Sequence, residues 1–252
     1  MSNTNLLKQS LAAFLCIVLM NVSNAQTSGE ITYQETMKLE IEIDDAPSGV
    51  DLAGMLPTSR SVTKKLTFNK NESVYVDSGD APEDTEISSD DGSIQIILAT
   101  DDVENQLYTD HQNDVSLDKQ GFMGRAFIID KPVSKIKWKI TTEKVKYLDY
   151  ECMKATMIDD EGVETVAWFA PAIPVKAGPA GYGQLPGAIL MLSKGDKELE
   201  IKATKIDLKE VDKIEKPDDG KKVTQEEYEK IVEEKMKEME REHGGRTISI
   251  RG

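Results

Sequence analysis

Apolar and polar residues alternate through most of this chain, and that period of two limits what it can fold into. Ile31, Tyr33, Met37, Leu39, Ile41 and Ile43 repeat on one side of an extended backbone. Val62, Leu66 and Phe68 follow, then Val74 and Val76 after the turn Asn69-Lys70-Asn71, then Ile94, Ile96 and Leu98. Phe127 and Ile129 continue the pattern, as do Ile136, Trp138 and Ile140. Later strands are expected around Tyr150–Cys152, Val166–Trp168, Ala188–Leu192 and Leu199–Ala203, with a shift of phase toward Ile206 and Leu208 that places a bulge near Thr204–Lys205. Roughly ten or more short strands at this spacing indicate a mainly β fold, a large curved antiparallel sheet or half-open barrel. Strands do not alternate with helices as a parallel sheet would require.

Three segments fall outside this pattern. Lys8, the apolar run Leu11–Met20 and the small residues Ser23-Asn24-Ala25 make residues 1–25 a secretory signal peptide, too short in its apolar part to span a bilayer. Asp77–Gly92 is acidic and turn-rich and reads as a loop. Lys216–Lys222 reads as a linker to the one clear helix. There Thr224 and Glu227 form a capping box, and Tyr228, Ile231, Val232, Met236 and Met239 form an apolar stripe that needs a surface to cover it. Arg246–Arg251 alternates weakly, as an edge strand or a frayed tail. The expected organisation is therefore a leader (1–25), an antiparallel β domain (26–215), and a linker, C-terminal helix and tail (216–252).

Charge and rare residues narrow the function classes. A net charge of −15 repels phosphate backbones and acidic membrane surfaces, so nucleic acid is not an expected partner. No run after the leader approaches the roughly 18 apolar residues of a membrane helix. Cleavage after Ala25 leaves Cys152 as the single cysteine, so the exported chain cannot cross-link itself. His111 and His243 stand in no zinc spacing, and no nucleophile elbow, P-loop or dinucleotide fingerprint occurs. No catalytic residue, metal ligand or cofactor site is assigned. Cys152 with Met153 and Met157 would be the nucleus of a soft-metal site, but strand alternation sends Cys152 to the other face from both methionines.

The stretch from Trp138 to Leu190 carries a more specific pattern: W-K-I-T-T-E-K (138–144), Y-E-C-M-K-A (150–155), A-W-F-A-P-A-I-P (167–174) and G-P-A-G-Y-G-Q-L-P-G-A-I-L (178–190). With I-T-Y (31–33) and F-N-K-N-E-S before Val74-Tyr75, it resembles the GLPGLI family of bacterial envelope proteins. The resemblance implies export to the periplasm or surface of a Gram-negative cell. It brings no assigned activity, hence no catalytic residues to carry over. Gln184 and Ala188 replace the first glycine and second leucine of the family hexapeptide. A positive φ is therefore not expected at 184, Gly183 being free to supply it.

Two readings of the 178–190 stretch follow from its residues. One is a crossover loop closing the end of a curved sheet, plugged by Tyr182 and Leu185. The other is the rim of an apolar cleft for a hydrophobic small molecule, lipid or peptide, with Trp138, Trp168, Phe169, Tyr182, Leu185 and Pro186 as walls. The expected function is that of an exported, non-catalytic binding or shielding protein. The alternatives are a hydrolase drawing on scattered carboxylates or a hydroxyl, and the soft-metal binder.

Overall fold

The computed structural model of the chain describes residues 27–43, 57–78, 85–88, 95–98, 103–242 and 248–251. The expected signal peptide lies outside the described residues, as does most of the acidic stretch 77–92. The first half of the chain gives β1 (Gly29–Lys38), β2 (Glu40–Ile43), β3 (Ser59–Phe68), β4 (Glu72–Asp77), β5 (Thr85–Ser88), β6 (Gln95–Leu98), β7 (Gln106–Asp110), β8 (Val115–Phe122) and β9 (Arg125–Pro132). The second half gives β10 (Lys139–Tyr147), β11 (Tyr150–Ile158), β12 (Glu164–Ala170), β13 (Ala188–Lys194), β14 (Leu199–Asp207), β15 (Lys221–Val223), the helix α1 (Gln225–Glu242) and β16 (Ile248–Arg251).

Twelve of these strands form one open sheet in the order β10-β11-β12-β13-β14-β1-β3-β4-β7-β8-β9-β15. β1 lies inside it and pairs with β3 on one side and β14 on the other. Each half of the chain thus builds a meander outward from one central strand. Every pairing in the sheet is antiparallel except the last, where β15 runs parallel to β9. The sheet is therefore mixed. The large curved antiparallel sheet expected from the sequence is present, with one parallel pairing at its edge, where the linker crosses the sheet before β15 pairs and a crossover returns a chain in the parallel sense.

Register places Ile31, Leu66, Tyr75 and Leu107 in one row, side chains on the same face. A second row on that face runs Ala155, Ala167, Leu192, Ile201 and Glu35. Nearly all of these residues are buried, and this inner face carries the main core. The sheet curls around it. Tyr147 of β10 donates its hydroxyl proton to the carbonyl of Ala203 in β14, at 2.8 Å. Four strand spacings separate those strands, about 19 Å if the sheet were flat. Part of the bend is local. Pairing of Thr32 with Lys205 and Tyr33 with Ala203 leaves Thr204 unmatched, a bulge where the phase shift of the sequence indicated one.

Two expected strands change shape. The alternating run Ile31–Ile43 divides at Leu39, because the partner strands β3 and β14 end level with Met37 and Lys38; β2 instead pairs with β16 in a separate ladder. Residues 133–138 form no strand, and β10 begins only at Lys139. The linker 209–220 straps the outer face. Lys216 lies 5.1 Å over the Tyr108 ring and Gln106 donates to the Glu215 carbonyl. Pairing of β15 then turns the chain around the sheet edge, and α1 returns on the inner side. Its capping box is formed: Glu227 N–H donates to Thr224 Oγ1 at 3.2 Å, and Thr224 N–H to Glu227 Oε2 at 2.9 Å. Tyr228 and Ile231 pack on Phe127, Ile129 and Val223. Met236 is exposed, so the stripe is not covered along its whole length within the chain.

Candidate functional site

Between β12 and β13 the chain stitches itself into a rigid plug. Ile173, Val175, Ala177 and Pro179 are buried in turn, while Pro174 and Lys176 between them keep access to solvent. Ile173 accepts from Ala188 N–H at 2.8 Å, Lys176 accepts from Gln184 N–H at 2.7 Å, and Pro179 accepts from Tyr182 N–H at 2.8 Å. Two glycines are required by contact. A Cβ on Gly178 would lie 1.7 Å from the Tyr182 carbonyl oxygen, and one on Gly187 would lie 2.3 Å from that of Ala170. Gln184 itself takes φ +67°, against the expectation that Gly183 would assume that role. The side chain supplies the reason: Gln184 Oε1 accepts from Ile136 N–H at 3.2 Å and Nε2 donates to the Ser134 carbonyl. Those bonds hold residues 134–136 against the loop and offset the backbone strain.

A cavity of about 350 Å³ lies between this loop and the inner faces of β3, β4, β7 and β8. Leu66, Tyr75 and Leu107 supply apolar floor, and Val133, Ile136, Met157 and Tyr182 supply apolar wall. The next register row is polar. Ser73, Thr109, Ser116 and Lys131 sit side by side across four strands, and the three hydroxyl residues are buried. Ser73 Oγ lies 2.9 Å from His111 Nε2. Lys131 pairs with Asp118 at 2.7 Å. Lys176 stands on the opposite wall, and no carboxylate comes within ion-pair distance of it among the described residues.

The electrostatics follow from burial. Removal from water pushes the His111 pKa below its ordinary value, and the Lys176 charge pushes the same way. Asp110 and Asp114 oppose this, but Asp110 is occupied: the Asn113 amide and the backbone amides of Gln112 and Asn113 donate to it and hold its carboxyl below the usual range. His111 is therefore neutral at pH 7, with Nε2 placed to share a proton with Ser73. Behind the floor, Tyr75 donates to the buried Glu35 at 2.8 Å.

The structure brings together two of the six residues expected as walls. Tyr182 lines the cavity. Trp138 stacks beside it, ring centroids 6.5 Å apart, and donates Nε1–H to the Gly183 carbonyl at 2.8 Å. Phe169 and Leu185 are buried in the core, Trp168 is half-buried in the row of Lys154 and Met191, and Pro186 is exposed. Cys152 is buried and its thiol is pushed up to about 11 by desolvation. Among the described residues no three His, Cys, Asp or Glu side chains gather as a metal site. Ser73, Thr109, Ser116 and Lys131 were not singled out by sequence. The three hydroxyl residues carry one sequence signal, a small polar side chain at an inward-facing strand position, and register alone lines them up with Lys131.

Residues 159–191 match a family described as "Protein of unknown function (Porph_ging)". That match covers β12, the loop and most of β13, the part of the chain that roofs the cavity. No curated protein matches the chain significantly. Among solved structures, one of PNGF-II aligns with a TM-score of 0.50 and 16% identity, over 82% of this chain and 33% of that one. A second structure of PNGF-II aligns with a TM-score of 0.47 and 14% identity, over 80% and 32%. An uncharacterized conserved protein from Thermus thermophilus aligns with a TM-score of 0.38 and 8% identity, over 84% and 99%. The chain thus spans about a third of the PNGF-II structures, and at such identity the likeness is one of fold.

Proposed function

We propose that this chain is an exported, non-catalytic envelope protein of the GLPGLI type that holds an acyl lipid in the cavity beneath the 176–184 loop. The cavity carries the reading. Its volume falls in the range of small-ligand sites, and its floor is an aliphatic and aromatic row of the sheet. The Gln184 backbone supports the family assignment, since the position that adopts φ +67° is the one where the family hexapeptide has glycine. The leader-like residues 1–25 support export, and the mature protein should begin at Gln26 on N-terminal sequencing. No helix among the described residues is long and apolar enough to cross a membrane. The test is solvent extraction of protein purified from its own envelope, followed by mass spectrometry, with titration of dodecanoate and dodecanol against the fluorescence of Trp138 and Trp168. Bound acyl lipid and a saturable fluorescence change are expected. Extracts without lipid, and no response to either amphiphile, would defeat the reading.

One observation favours a second reading, hydrolysis: Ser73 Oγ stands on His111 Nε2 inside the cavity, as a nucleophile stands on its base. No carboxylate hydrogen-bonds the other ring nitrogen of His111 among the described residues. Turnover of a p-nitrophenyl ester that disappears in Ser73→Ala would establish this reading in place of the first.

A further inference from the structure

We infer that the ligand is an amphiphile with an anionic oxygen head, carboxylate or phosphate, seated at the polar end of the cavity between Lys176 and the Ser73–His111 pair. The inference rests on the acyl-lipid reading above and specifies its head group. The cavity walls divide along the sheet register. One row presents Leu66, Tyr75 and Leu107; the next presents buried hydroxyls at Ser73, Thr109 and Ser116. Ser73 is bonded to His111 and Ser116 donates to the Tyr108 carbonyl, so Thr109 is the hydroxyl that a purely apolar occupant would leave facing hydrocarbon, which is costly for a buried polar group. An oxygen head accepts hydrogen bonds from hydroxyls and places the chain on the apolar row.

Charge decides the sign of the head. Asp118 faces the cavity, but Lys131 neutralises it at 2.7 Å. Lys176 has no acidic partner among the described residues, in a chain with a net charge of −15. A lone lysine beside a histidine repels protons from that histidine, and an anion placed between the two relieves both. A cationic head would meet the Lys176 charge directly, with Asp110, already engaged by Asn113 and Gln112, and Asp114 as the acidic groups near His111.

The experiment compares dodecanoate, dodecyl phosphate, dodecanol and dodecylammonium on the full mature chain by the fluorescence of its two tryptophans, Trp138 and Trp168, with Lys176→Met and Lys176→Arg. Lys176 is exposed, so neither substitution disturbs the core. At least one anionic amphiphile should bind about tenfold tighter than the alcohol, as a charge-assisted hydrogen bond gives. Lys176→Met should erase that difference and Lys176→Arg should keep most of it. The stronger of the two anions identifies the head as carboxylate or phosphate. Equal binding of alcohol and both anions overturns this inference and leaves the acyl-lipid reading standing. Tighter binding of dodecylammonium also overturns it. No binding of any of the four removes the lipid reading and this one with it.

Discussion

Gln184 pays in backbone strain for a contact its side chain makes elsewhere. A non-glycine residue at φ +67° costs about 1–2 kcal/mol. The amide of Gln184 joins the loop to residues 134–136 through two hydrogen bonds, each contributing about 0.5–1.5 kcal/mol net. The two effects are of equal size, which lets a glutamine stand where a glycine would be easier. Gln184→Ala keeps the strain and loses the bonds, so it should destabilise the protein by about 1–2 kcal/mol in denaturant unfolding. Gln184→Gly relieves the strain as it loses the bonds and should lie within about 0.5 kcal/mol of the parent. Equal loss in both variants would mean that the backbone at 184 is not strained. The same residue marks how far the sequence can be read. Its glycine-rich surroundings and the neighbouring Tyr182 and Trp138 are visible as a local motif, because they are close in the chain or carried by it. Thr109 and Ser116 face each other across one hairpin, but Ser73 lies dozens of residues before both. They become one hydroxyl row only through the pairing of three strands, and no local pattern encodes that.

α1 shows what an element can gain from a small contact. It rests on β9 through Tyr228 and Ile231, with the Phe127 and Tyr228 rings edge to face at 5.5 Å. Val232 is half-buried beside Ile231, and the rest of its described surface is exposed and carries i,i+4 pairs such as Lys237 with Glu233. Such pairs and the capping box cannot hold an isolated helix of this length in water. Its order therefore depends on docking. Tyr228→Ala removes the ring contact and should open α1 locally, raising the rate of proteolysis within 225–242 by about tenfold. The thermal midpoint of the sheet should change little, because only β9, β15 and the end of β8 at Phe122 touch the affected cluster. Loss of the whole fold in this variant would show that helix and sheet unfold as one unit. Strand periodicity, the Thr204 bulge and the helix cap were all legible because each depends on neighbours in sequence. The parallel edge strand β15 was not. Three residues are too few to show a period, and Lys221 and Lys222 have the composition of a linker.

The whole sheet is built around tyrosines that cannot ionise in place. Tyr33, Tyr75 and Tyr108 stand on β1, β4 and β7, all of them buried, with Tyr33 and Tyr75 on the inner face and Tyr108 under the strap. Burial raises all three pKa values far above the ordinary range; the Glu35 charge and hydrogen bond add to this at Tyr75, and Glu72 adds to it at Tyr108. A phenol whose pKa is raised by folding binds its proton more tightly in the native state. Its contribution is fully present below about pH 10, where the unfolded chain is also protonated, and is lost as pH rises above that value. Each such group lowers the unfolding free energy by about 1.4 kcal/mol per pH unit once the unfolded chain ionises, so three give a slope of about 4. Lysine deprotonation also leaves the acidic chain more repulsive at high pH, but added salt screens that term and leaves buried phenols untouched. Alkaline unfolding followed at high salt should therefore coincide with the ultraviolet signal of about three of the seven tyrosines ionising together. Tyr33→Phe loses the hydrogen bond to the Ile189 carbonyl, at a cost of about 1 kcal/mol at neutral pH. It should also reduce the alkaline slope by about a third, since one ionisation has been deleted. If the slope is unchanged in Tyr33→Phe, or if every tyrosine ionises before the sheet unfolds, the curled sheet does not hold its phenols away from water as the structure shows.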